Sequence, residues 1–158
     1  MINLRLATKK DLKILSEIYI IAYNSINIGE NWTFKSAYKL IEFLYEDQPD
    51  LFIVAEEKDK VVGGIVATVR PWWDGNHLID GEIFVHPSYQ KKGIGVKLIE
   101  HLFTAAKEKY NVVSWDTYAH KVYKEPLAWY KSLGFEEIKK WAMITGNVNK
   151  VLKIVREK

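Results

Sequence analysis

The sequence contains no cysteine, and this absence limits the chemistry open to the protein. Without thiols there is no disulfide, no thiolate metal site and no cysteine nucleophile. A group that this protein transfers must therefore go by another nucleophile, or by direct attack between two substrates. The four histidines, at positions 77, 86, 101 and 120, lack the spacing of a metal-ligand pair, so no metal is expected.

The chain also lacks long apolar runs and a strong charge of one sign. No apolar run approaches the ~20 residues of a membrane span, and the opening MINLRLATKK is not a secretory signal. A net charge of +3, from 23 basic and 20 acidic side chains, does not predict nucleic acid binding, which needs a clustered basic face. We therefore expect a cytoplasmic protein with neither a membrane nor a nucleic acid partner.

What the sequence does contain is a succession of strand and helix patterns over 158 residues, a length that predicts one domain spanning 1–158. Alternation and turn residues predict strands near 2–7, 51–57, 61–70, 77–85, 112–118, 136–144 and 149–155. Apolar residues at helical spacing predict helices near 12–22, 34–46 and 94–106, and a short one from Pro126 to Gly134. This order predicts a mixed α/β domain in which residues 51–85 form an antiparallel meander.

The segment SYQKKGIGVKLIEHLF, residues 88–103, places two glycines and two lysines at the start of a helix. The glycines could only close a tight turn, or they could form a nest of backbone N–H groups for an anion such as a diphosphate. The P-loop pattern is absent, and the dinucleotide pattern fails at its third glycine, where Leu98 stands. Asp116 lies about twenty residues further on, where dinucleotide-binding folds have an acidic residue that binds the ribose. A dinucleotide-dependent oxidoreductase is therefore a distant alternative.

Two motifs resemble those of the GNAT superfamily of N-acetyltransferases. The segment around Gln90, Gly93 and Gly95 is similar to the family's acetyl-CoA motif, Arg/Gln-x-x-Gly-x-Gly/Ala. WYKSLGF is similar to Tyr-x-x-x-Gly-Phe, with Tyr130 as the tyrosine. The resemblance implies a mostly antiparallel twisted sheet with about four helices, splayed between the fourth and fifth strands. It also implies acetyl-CoA as co-substrate and direct transfer in a ternary complex.

The resemblance further implies which residues hold the coenzyme. Backbone N–H groups from Lys91 to Val96 would bind the diphosphate, and the strand edge around Phe84 would pair with the pantetheine arm. The coenzyme-binding residues expected are Phe84, Val85, Gln90, Lys91, Lys92, Gly93, Ile94, Gly95 and Val96. The family often has an asparagine seven residues before the motif tyrosine, whereas this chain has Tyr123 at that position. The resemblance therefore does not imply a side-chain contact with the coenzyme there.

Acetyl transfer to an amine needs a group that removes a proton, because an alkylamine with a pKa near ~10 is almost wholly protonated at neutral pH. Strict strand alternation places Asp80, Glu82 and Phe84 on one face, away from Ile79 and Ile83, unless a bulge shifts the register. Glu82 is the expected base and Asp80 the alternative.

The resemblance makes Tyr130 the expected acid, which protonates the departing thiolate. The acceptor that the resemblance implies is a primary amine of a small molecule or peptide, and the sequence does not identify it. Aromatic residues of the first two helices and their linker, together with Glu30, would suit a cationic amine. A non-catalytic acyl-CoA-binding or sensor module on the same fold is the main alternative function, and a homodimer stays open.

Overall fold

A computed structural model of the chain describes residues 1–26, 28–121 and 123–157. They divide into two units, Met1–Thr117 and Tyr118–Lys158. In chain order the elements of the first unit are β1 (Ile2–Leu6), α1 (Leu12–Asn24), α2 (Phe34–Asp47), β2 (Ile53–Glu57), β3 (Lys60–Trp72), β4 (Gly75–Val85), α3 (Ile94–Tyr110) and β5 (Val112–Trp115). No helix in the described ranges is both long and apolar enough to span a membrane.

The five strands of the first unit form one sheet in the order β1-β2-β3-β4-β5. The first three pairings are antiparallel, and β4 and β5 are parallel because α3 connects them as a crossover. The predicted meander over residues 51–85 and the predicted mixed α/β class with a mostly antiparallel sheet are therefore confirmed.

Helices cover both faces of this sheet. One core cluster joins α1 and α2 to Val54, Val66 and Phe84 of the three middle strands. Ile53 and Ile65 alternate with these residues and are also almost fully buried, while α3 packs against the strands as well. The middle strands therefore carry apolar residues on both faces, as fully covered strands do.

A bulge in β4 decides which of its residues share a face. Val66 pairs with Glu82 and Thr68 with Ile79, so Ala67 alone stands opposite Asp80 and Gly81. Directly paired residues point to the same face, which places Ile79 with Glu82. The strict alternation that grouped Asp80 with Glu82 is therefore wrong, because the extra residue resets the period at this point.

The second unit contains two helices, α4 (Leu127–Ser132) and α5 (Val148–Arg156). The predicted short helix is confirmed, and Gly134 follows it with a φ of +92°, a conformation that favours glycine. The two predicted closing strands are wrong: residues 136–147 hold no strand, and the next residues form α5. The segment from Val148 on repeats its apolar residues at helical spacing, and the Asn147 side chain accepts a hydrogen bond from the Lys150 N–H at 3.1 Å.

Candidate active site

Glu82 lies on the face of β4 that α1 covers. The Tyr23 hydroxyl, on the last turn of α1, donates a hydrogen bond to Glu82 Oε2. One turn earlier, Tyr19 stacks on Tyr23 with ring centroids 4.2 Å apart and an interplanar angle of 21°. Tyr19 is 1% exposed and meets Phe84 edge-on at 5.2 Å. The carboxylate is therefore placed at the rim of an aromatic cluster.

This setting changes the acidity of Glu82. Burial raises its pKa to about 6, because the charged form loses water contacts, and the negative charge of Glu30 acts in the same direction. The hydrogen bond from Tyr23 acts in the opposite direction, since it stabilises the ionised carboxylate. Such a group is mostly ionised above neutral pH and can still accept a proton, which are the properties that a general base requires.

Asp80, the alternative base, has a different setting. It lies in the bulge with a φ of +48°, and its side chain is exposed. The register of β4 separates it from the face that carries Glu82. The structure therefore does not bring the two candidate carboxylates together.

The pairing between β4 and β5 is short. It covers Asn76 to Leu78 on β4, and the Asp116 N–H extends it by one hydrogen bond of 2.9 Å to the Leu78 carbonyl. From there to Val85, β4 pairs with β3 but not with β5 in the described ranges. The backbone edge that includes Phe84 and Val85, the expected pantetheine contact, thus has no strand partner on that side within the first unit. This agrees with a sheet that splays between its fourth and fifth strands.

Gly81 and Trp115 meet at the point where the two strands part. A Cβ on Gly81 would lie 2.5 to 2.7 Å from three atoms of the Trp115 indole, which no real side chain does. Trp115 is 6% exposed, and its ring packs edge-on against Phe103 of α3 at 5.8 Å. Glycine is therefore required at position 81 for a tryptophan to fill this corner of the gap.

The expected diphosphate site is the turn that leads into α3. Gly93 precedes the helix with a φ of +77°, which favours glycine, and Lys91 has a φ of +59°. The first backbone bond of the helix runs from the Lys97 N–H to the Gly93 carbonyl, so the N–H groups of Ile94, Gly95 and Val96 precede the helical ladder. These groups and the exposed Lys91 and Lys92 form an arrangement suited to an anion.

One side chain ties this turn to the end of β4, and a second contact lies within the turn itself. Gln90 Nε2 donates a hydrogen bond of 2.9 Å to the carbonyl of Val85, the last residue of β4. The Lys92 ammonium lies 4.9 Å from the centroid of the Tyr89 ring. The expected coenzyme residues from 84 to 96 are therefore contiguous in space as well as in sequence.

A second polar cluster lies where β4 begins. His77 is 7% exposed, and its ring nitrogens contact two carboxylates: Nδ1 lies 2.8 Å from Asp116 and Nε2 lies 2.9 Å from Asp74. Asp116 also accepts a hydrogen bond from the Ser114 hydroxyl at 3.3 Å. Asp116 thus ties β5 to β4 through His77, and this contact replaces the ribose-binding role on which the oxidoreductase alternative depended.

Tyr130, the expected acid, belongs to the second unit. It lies on α4, is 7% exposed and packs against Trp129 and Phe135 with ring centroids 5.0 and 5.1 Å away. The Phe135 N–H donates to the Tyr130 carbonyl at 3.1 Å, which closes the turn after the helix. The motif residues Tyr130, Gly134 and Phe135 thus form one local structure.

These features agree with the match to a family of known proteins. Residues 12–135 match the family model described as Acetyltransferase (GNAT) family. The chain belongs to the GNAT acetyltransferase family. The match includes the segments that form the β4–β5 gap, the turn before α3 and the Tyr130 motif, and it extends over parts of both units.

Two curated relatives of this GNAT chain are more than a quarter identical to it over the aligned residues. It is 29% identical over 147 residues to an uncharacterized N-acetyltransferase of Methanocaldococcus jannaschii. That alignment covers 88% of this chain and 64% of the relative. It is 28% identical over 111 residues to the L-amino acid N-acyltransferase MnaT of Escherichia coli. That alignment covers 67% of this chain and 63% of the relative. The chain thus spans less than two thirds of the length of either relative.

Solved structures support the GNAT fold. A possible acetyltransferase from Clostridium difficile 630 superposes with a TM-score of 0.78 at 24% identity, over 94% of this chain and 98% of the other. A predicted acetyltransferase from Clostridium acetobutylicum, solved with acetyl-CoA, superposes with a TM-score of 0.69 at 21% identity, over 92% and 96%. At these identities the likeness concerns the fold, and it confirms the GNAT-like architecture expected from the two motifs.

Sequence reasoning missed three contacts of this GNAT chain. Tyr23 was expected only as one of the aromatic residues of the first two helices, whereas its hydroxyl reaches Glu82, 59 residues away. The contacts of His77 with Asp116 and of Gly81 with Trp115 also join distant segments. The one local signal was the spacing of Tyr19 and Tyr23, four residues apart on a helix and therefore on one face.

Proposed function

We propose that the chain is an N-acetyltransferase, acting as one domain over 1–158, that moves an acetyl group from acetyl-CoA to a primary amine of a small molecule or peptide. The observation that carries this proposal is Glu82. In a chain of the GNAT family, it provides a carboxylate with a pKa of about 6 on β4, the strand that parts from β5. The two curated relatives named for N-acyl transfer support the same class of reaction.

The donor would bind along β4 and the turn that follows it. The N–H groups of Ile94, Gly95 and Val96 would hold the diphosphate, while Lys91 and Lys92 add positive charge at the rim. The edge of β4 at Phe84 and Val85 would pair with the pantetheine arm as an added strand does. The thioester would then lie near the bulge, beside Glu82.

The chemistry would proceed by direct attack in a ternary complex. The amine nitrogen attacks the thioester carbonyl carbon and loses a proton to Glu82, the carbon–sulfur bond breaks, and the departing thiolate takes a proton from Tyr130. No acetyl-enzyme forms, in agreement with a chain that has no cysteine. Asp80 remains the second candidate for the base, through a bound water rather than by direct contact.

The partly exposed Trp32 ring and the Glu30 carboxylate suit a cationic acceptor. Tyr19 meets Trp32 edge-on at 5.1 Å, and the Trp32 indole N–H donates to the Glu30 carboxylate at 2.7 Å. Aromatic faces and a carboxylate attract an ammonium group before it is deprotonated. An amine with a second positive charge would gain most from Glu30.

The test measures thiol release from acetyl-CoA with a panel of primary amines: polyamines, aminoglycosides, amino acids and short peptides. In Glu82→Gln, kcat/KM should fall by roughly 10²-fold or more, most at low pH where the acceptor is almost wholly protonated, and recover in part as pH rises. The matched control is Glu46→Gln, which changes an exposed carboxylate on α2. Intersecting double-reciprocal lines are expected with the best acceptor.

Three results would contradict the proposal in different ways. Parallel double-reciprocal lines would replace direct transfer by an acetyl-enzyme route. If the acidic limb of the pH profile of kcat/KM were the same in Glu82→Gln as in wild type, Glu82 would not be the base. Tight binding of acetyl-CoA by calorimetry, without thiol release for any amine, would favour the acyl-CoA sensor instead.

A further inference from the structure

The contact between α1 and β4 assigns a role to a residue outside the expected site. We infer that Tyr23 is a positioning residue, whose hydroxyl holds the Glu82 carboxylate in place and keeps it ionised at neutral pH. This inference rests on the proposed function, in which Glu82 is the base. The interaction joins α1 to β4, and both elements belong to the first unit, Met1–Thr117.

The hydroxyl of Tyr23 has little freedom to move. Its ring stacks on that of Tyr19, which itself packs edge-on against Phe84 and Trp32. The next residue, Asn24, accepts a hydrogen bond from the Trp32 N–H and donates one to the Trp32 carbonyl, both at 3.0 Å, so Trp32 is held at the end of α1. The donor that meets Glu82 Oε2 is therefore part of a packed arrangement rather than a mobile side chain.

The groups that face Glu82 explain why this donor matters. From α1 these are Tyr19 and Tyr23, from the linker Glu30, and from β3 the apolar partner Val66. Glu82 takes part in no ion pair with a cation in the described ranges of the chain. Burial and Glu30 both favour the protonated carboxyl, and the Tyr23 hydroxyl is the strongest group that favours the ionised form.

Removing this donor should therefore change the titration of the base. Tyr23→Phe keeps the ring and its stacking but deletes the hydroxyl. A hydrogen bond to a charged group is strong enough that its loss should raise the pKa of Glu82 by about one unit. A base with a pKa near 7 instead of 6 would reduce kcat/KM by roughly 5-fold at pH 6 and hardly at all at pH 8.5.

The experiment has two independent measurements. The Glu82 carboxyl is followed by ¹³C NMR from pH 4 to 9 in wild type and Tyr23→Phe, which needs no activity, and kcat/KM is measured over the same range. The control is Tyr45→Phe, which removes a hydroxyl from a partly buried tyrosine packed on the same core cluster. Circular dichroism and thermal melting confirm that both variants are folded.

We expect the NMR midpoint and the acidic limb of kcat/KM to rise together in Tyr23→Phe and to stay unchanged in Tyr45→Phe. An unchanged NMR midpoint in Tyr23→Phe would overturn the inference. A raised midpoint with an unchanged acidic limb would overturn the catalytic role of the contact, since Glu82 would then not be the base. An inactive wild type with a raised midpoint in Tyr23→Phe would overturn the proposed function while supporting the Tyr23–Glu82 coupling.

Discussion

The contact between Gly81 and Trp115 predicts a large effect from one methyl group. Gly81→Ala places a Cβ 2.5 Å from Trp115 Cζ2, 2.6 Å from Nε1 and 2.7 Å from Cε2. These are atoms of a rigid ring that is 6% exposed and bounded by Phe103, so the ring cannot simply rotate away. Either the indole or the end of β5 must shift.

The size of this effect follows from the cost of overpacking a buried site. Such substitutions typically cost about 1–3 kcal/mol. For a chain of this length, each kcal/mol lowers Tm by roughly 2–4 °C, so Gly81→Ala should lower Tm by roughly 2–12 °C. Calorimetry and urea denaturation measure the loss directly.

A double-mutant cycle identifies its cause. Trp115→Leu removes all three of the clashing ring atoms, so Gly81→Ala should cost much less in that background. The coupling between the two substitutions should fall between about 0.5 and 3 kcal/mol. If Gly81→Ala costs the same with Trp115 and with leucine at that position, the clash is not the cause and the reasoning is wrong.

Three further predictions concern the coenzyme turn, the expected acid and the histidine cluster. Gly95→Val should weaken CoA binding at least ~10-fold in calorimetry, because a branched side chain would project where the phosphate must approach, whereas Lys91→Ala should cost less since its charge is exposed to salt. Tyr130→Phe should still bind CoA but lower kcat and kcat/KM together by roughly 10²-fold or more, and full activity would return this tyrosine to a packing role. The pKa of His77 is raised by its carboxylate partners, chiefly Asp116, so its stabilisation is complete below its unfolded pKa of 6.5 and is lost as pH rises through the higher folded value. Urea midpoints from pH 6 to 9 should fall less steeply in Asp116→Asn than in wild type, and equal slopes would contradict the assignment.

Much of the fold could be predicted because its signals are local. The charged turn at 58–60, the Asp-Gly turn at 74–75 and the apolar stripe of α3 each mark an element within a few neighbouring residues. The glycines at the start of α3 likewise indicate a turn from local sequence, and Gly93 has the left-handed backbone that favours glycine.

The rest depended on information that no short segment contains. The bulge at Asp80 appears only in the pairing of β4 with β3, so strict alternation assigned Ile79 and Asp80 to the wrong faces. Residues 148–156 combine strand-favouring valines with helical spacing, and the Asn147 cap favours the helix there. The environment of Glu82 depends on Tyr23, which only the packing of α1 on the sheet brings near.

The bulge also decides which change of length β4 can accept during evolution. Because this stretch of the strand holds one extra residue, deleting Asp80 would leave Ile79 and Glu82 two positions apart, and simple alternation would keep both on the face that they share now. Closing the bulge with every residue still present would instead rotate the first half of the strand and turn His77 away from Asp116. Relatives should therefore lose the bulge only together with one residue of this stretch.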